Sequence, residues 1–103
     1  MIDPTTILTQ IQALLDREPA APLDDLEHTL TAGYAAALSL EAERWKLQRR
    51  MSEVTEAVGD GASGREPEIA RLARCLTSAD DEIARLRSLL ASLRAHADAV
   101  RAA

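Results

Sequence analysis

From Leu23 to Val58 the core-type positions return every three or four residues: Leu23, Leu26, Leu30, Gly33, Ala37, Leu40, Arg44, Leu47, Met51, Val54 and Val58. An unbroken alternation of three and four is the heptad rhythm, and it places these residues at the a and d slots of one helix. Arg44 is the only charged member of the series. The rhythm resumes in Ile69, Leu72, Leu76, Ala79, Ile83, Leu86, Leu90, Leu93, Ala97 and Val100. The two patterns predict helices over about 23–58 and 66–102, each roughly 54 Å long at 1.5 Å per residue.

The punctuation between them is as informative. Gly59 begins the run GDGASG, whose three glycines suit a helix stop and a tight turn. Pro67 falls in the first turn of the following helix, where a missing N–H costs nothing. Thr77, Ser78 and Asp81 compete with this reading, because Ser78 and Asp81 have capping-box spacing and would start a new helix there. The heptad phase crosses them unchanged, which favours one continuous helix.

A shorter segment precedes the pair. Asp3 and Pro4 read as an N-cap followed by proline at the first helical position. Ile7, Leu8, Ile11, Leu14 and Leu15 then mark one face of a helix over about 4–18. Pro19 and Pro22 bound the linker PAAP, too short to carry this helix far from the start of the next. Nothing alternates with the period of a strand. The expected fold is all-α: a single domain over 1–103, built as a long antiparallel, coiled-coil-like hairpin with a short N-terminal helix. The short helix is expected beside Tyr34, Leu38 and Leu89, with dimerisation completing the bundle.

Charge sharpens the register. Residues 1–43 carry eight acids against Arg17 alone, a balance of −7, and residues 44–103 carry eleven bases and nine acids, a balance of +2. Folding back sets the acidic start of the second helix beside Arg85, Arg87, Arg94 and Arg101 of the third. Arg44 then faces Asp80 and Asp81, while Glu53 and Glu56 approach Arg71 and Arg74. A charged residue in a core slot costs stability unless it is paired or reaches water, and it can restrict register or partner number. Arg44, Asp80 and Asp81 are therefore candidates for setting specificity. A stem lying over Leu40 and Leu47 with its head in solvent accounts for Arg44 equally well.

The sole tryptophan, Trp45, stands among charged neighbours in a chain with one tyrosine and no phenylalanine. A short first helix covers less than half of the hairpin, so Trp45 is expected where that cover runs out. With Leu38 and Tyr34 it forms the candidate protein interface, a large ring inside a polar rim. Packing on the first helix, or under the Arg49 stem, is the competing expectation.

Other chemistry finds little support. His28 and His96 are level across the hairpin but occupy divergent positions without metal-ligand spacing, so no metal or cofactor is expected and both should be solvated. Cys75 lies near Arg71 and Arg74 yet has no histidine base, and reads as a small hydrophobe in a reducing compartment. The glycine turn lacks the lysine and strand of a phosphate loop. A net charge of −5 argues against DNA binding. The cluster Arg44, Lys46, Arg49 and Arg50 faces the acids Asp80 to Glu82 and reads as an internally paired, solvated face more readily than as an RNA contact. No stretch has the length and apolarity of a membrane span, and the expected location is cytoplasmic. The functional expectation is a non-catalytic, self-associating helical scaffold or adaptor. The alternative is a small helical chaperone or regulator that binds a partner's amphipathic helix.

Overall fold

The computed structural model describes residues 3–103 and contains three helices: α1 (Pro4–Asp16), α2 (Leu23–Gly59) and α3 (Glu66–Ala102). The two long helices of 37 residues each lie antiparallel, in a molecule measuring 64 × 21 × 17 Å. Gly33 defines the register: a Cβ built there would collide with Leu90 Cδ2, so the backbone of α2 and the side chains of α3 are in direct contact at that level.

Each boundary has a local cause. Asp3 occupies the N-cap of α1 with extended backbone, but its side chain makes no cap hydrogen bond; instead the Ile7 N–H donates to the Asp3 carbonyl at 3.0 Å. The helix ends at Asp16, two residues before the expected Glu18. Arg17 already has extended backbone, with ψ at 133°, and Glu18 precedes a proline, which disfavours helical geometry. At the far end Gly61 adopts φ of 99°; its N–H donates to the Val58 carbonyl and that of Ala62 to the Ala57 carbonyl. Those two bonds cap the last carbonyls of α2 in a Schellman arrangement, which needs a left-handed residue at Gly61. No helix starts at Ser78. The Thr77 hydroxyl donates to the Ala73 carbonyl at 3.1 Å, and α3 runs through.

The core is graded along the rod. Near the open end Leu26, Leu30, Ala37, Leu86, Leu90, Leu93 and Ala97 are buried, together with Ile7 and Ile11 of α1. Toward the turn Leu40, Leu47, Met51, Leu76, Ala79 and Ile83 are only half-buried, and Val54 and Leu72 are the two large seam side chains fully covered there. Most of these slots are less covered than their counterparts at the open end because a third helix covers that end alone, while Val54 and Leu72 are buried by the two long helices themselves.

The placement of α1 corrects the expectation in part. Leu89 does pack against the core that α1 joins, and the groove between α1 and α2 is lined by Ala13, Leu14, Asp25, His28, Thr29 and Ala32. Ala36, on the same side, is buried. Leu38 lies about 200° further round the helix from Ala36 at 100° per residue, facing away from α1. Leu38 is accordingly 63% exposed. Helix α1 occupies the flank built from the g positions of both long helices, and the flank built from e and b positions is bare.

Candidate functional site

On the bare flank the e positions of α2 and α3 form a ladder of polar contacts. Arg101 Nη2 donates to Glu27 Oε1 at 2.6 Å, and Arg87 Nη2 to Glu41 Oε1 at 2.5 Å. Between them Tyr34 and Arg94 interact, the phenol hydroxyl and then Asp98 holding the Arg94 guanidinium above its ordinary pKa. One heptad beyond Glu41 the e position of α2 is the neutral Gln48. Asp80, the corresponding residue of α3, takes Arg44 as its partner instead, with Arg44 Nε donating to Asp80 Oδ1.

Arg44 thus leaves its core slot sideways. Its side chain is 39% exposed and that of Asp80 52%, so the pair rests in high dielectric and adds little stability. The bond to Asp80, with the attraction of that carboxylate, raises the Arg44 pKa. Asp81, its neighbour, is exposed and makes no ion pair among the described residues. The remaining register contacts differ from expectation. Glu53 pairs with Arg49 and Arg50 of its own helix, and Glu56 with neither Arg71 nor Arg74. Arg50 crosses to α3 at Glu68, 2.7 Å away, and Arg65 approaches the same carboxylate at 3.0 Å. The bond from Arg50 is the main cause of the lowered Glu68 pKa; partial burial opposes it, and Arg65 adds to it.

Outside this ladder, at b positions one heptad apart, stand Leu38 and Trp45, 63% and 61% exposed. The Arg49 guanidinium carbon lies 5.5 Å from the centre of the Trp45 ring, a cation–π contact that covers one face of the indole. Tyr34 is half-buried on the core side of the same flank. The three aromatic and aliphatic residues therefore share a flank, although Tyr34 belongs to the ladder and only Leu38 and Trp45 project. The reason for their exposure is corrected: α1 is on the opposite flank, so no extension of it along its groove would reach Trp45.

Facing them on α3, the exposed b positions Ala70, Thr77, Ala84 and Ala91 are small, and only Asp98 at the open end is charged. The flank pairs large side chains on one helix with small ones on the other. The sequence rhythm contained this arrangement, since b and e positions follow from the a and d assignment; only the flank chosen by α1 was missing.

Elsewhere the chemistry is sparse. His28 is exposed beside α1. His96 is not the solvated residue expected of it: it borders the end of α1 and the start of the linker, from Leu15 to Ala20, and its Nε2 is buried without a hydrogen-bond partner. Cys75 is half-buried and free. Among the described residues no three His, Cys, Asp or Glu side chains converge as metal ligands would, and no helix is long and apolar enough to cross a membrane. The chain matches no protein-family model, no curated protein and no solved structure.

Proposed function

We propose that this chain is a non-catalytic helical scaffold or adaptor that self-associates through the flank bearing Leu38 and Trp45. The observation that carries this reading is the exposure of the chain's only tryptophan, together with a leucine one heptad away, on the side that α1 leaves bare. Helical surfaces of this kind gain by covering each other, because burying apolar area is worth about 25 cal/mol per Å². A large ring bounded by Lys46, Arg49 and Glu41 has the anatomy of an interface anchor with a polar rim.

Sedimentation equilibrium at micromolar concentration tests the reading. The wild-type protein is expected to be a dimer, and Trp45→Ala to weaken it by about tenfold or more, as loss of an anchor residue does. A compact wild-type monomer with water-exposed tryptophan emission would overturn it. The same flank would then serve a partner protein's amphipathic helix, as a chaperone or regulator does.

A further inference from the structure

Resting on that reading, we propose that two copies associate side by side about a twofold axis parallel to the rod, so that α2 of each lies on α3 of the other. Three observations on the bare flank point to a second copy in this orientation.

The first is charge. Along the e positions α2 contributes Glu27 and Glu41, and α3 contributes Arg87, Arg94 and Arg101, with Asp80 nearer the turn already paired with Arg44 of its own chain. A twofold axis along the rod exchanges left and right without changing level. It sets Glu41 of one copy on Arg87 of the other, and Glu27 on Arg101. Each internal ion pair becomes half of an alternating group of four. Tyr34 is likewise brought to Arg94 of the second copy. Covering these charges carries a desolvation cost, which two opposite neighbours for each of Glu27, Glu41, Arg87 and Arg101 offset.

The second is size. The register set by Gly33 against Leu90 makes Leu38 about level with Ala84, and Trp45 with Thr77. The same axis therefore seats the projecting side chains of α2 over the small residues of α3, twice per dimer. A twofold axis across the rod would instead stack Leu38 and Trp45 on their own counterparts and small residues on small ones. That leaves a wedge-shaped gap and no charge groups of four.

The third is area. Two helices about 10 Å wide and about 54 Å long present on the order of 1,000 Å² to a partner, against roughly 800 Å² per side in a standard stable interface. Helix α1 does not obstruct this contact, because it occupies the opposite flank in each copy. The product is a bundle of four long helices, every neighbouring pair antiparallel, with a polar central column and apolar contacts along both edges.

Disulfide trapping in a Cys75→Ser background tests the orientation, with Ser52→Cys placed on α2 and Ala70→Cys on α3, both exposed and away from Trp45. Chains carrying Ser52→Cys mixed with chains carrying Ala70→Cys should form an oxidised dimer on non-reducing electrophoresis. Each variant alone should form none, since the two α2 helices are diagonal in the bundle. A protein that sediments as a dimer, but crosslinks through Ser52→Cys alone or fails to crosslink in the mixture, overturns the orientation and leaves self-association standing. A monomer overturns both.

Discussion

Gly33 shows how one residue governs the contact between elements. Any side chain at this seam position of α2 would strike Leu90 Cδ2 of α3, with Ile11 Cδ1 a further neighbour at 3.5 Å. Gly33→Ala would gain about 1 kcal/mol of helix propensity and lose about 1–3 kcal/mol to overpacking against a buried leucine. Net destabilisation of roughly 1 kcal/mol is expected in urea denaturation. Unchanged or higher stability would mean that Leu90 swings aside freely. Arg44 poses the converse case, a charged residue in an apolar series. Its guanidinium escapes to Asp80 at the surface, so Arg44→Leu should melt at or above the wild-type temperature while admitting additional oligomeric states. A lower melting point with a single species would show that the pair is needed for folding and not for specificity.

Among the helices, the two halves of the hairpin are differently supported. Ile7 and Ile11 bring α1 into the seam and are fully buried, while the half near the turn relies on two helices, with Val54 and Leu72 buried between half-covered neighbours. Deleting most of a buried isoleucine costs about 2–5 kcal/mol. Ile11→Ala should therefore release α1 and expose amides of α2 between Leu26 and Ala37 to hydrogen exchange, with little change between Leu47 and Val54. A uniform loss of protection would indicate that the rod unfolds as one cooperative unit. Helix boundaries were legible from single residues: Pro4, the glycine turn and Pro67 act locally. The end of α1 was overestimated because its apolar face does not stop where its backbone does; Pro19 constrains Glu18, and the extended geometry reaches back to Arg17.

For the molecule as a unit the arrangement of charge is the testable quantity. Glu41→Arg and Arg87→Glu each break the internal pair and, in the proposed dimer, leave the group of four at positions 41 and 87 with a single sign. Each variant alone should dimerise about tenfold more weakly, as like-charge contacts at interfaces do. Mixed in equal amounts they should recover a heterodimer, because the two positive charges of one chain then face the two negative charges of the other. Sedimentation of the mixture against the separate variants measures this, and no recovery would place the ladder outside the contact. In the proposed dimer the polar central column would also weaken association at high salt, unlike an apolar seam.

Period, turn residues and charge order were enough to place the helices, their antiparallel pairing and the level at which acidic and basic stretches meet, because each of these signals is local or one-dimensional. The pairing of Arg44 with Asp80 was legible for the same reason. Glu53 turning to Arg49 and Arg50 was not, since intrahelical neighbours compete with partners across the seam on equal terms. Which flank α1 would cover emerged only from packing in three dimensions. Both flanks offer a groove along the same seam, and the choice rests on shape: small Ala32, Gly33 and Ala36 admit a helix where Tyr34, Leu38 and Trp45 would hold one off. That choice leaves Trp45 in water, because close packing acts between surfaces and has no period along the chain.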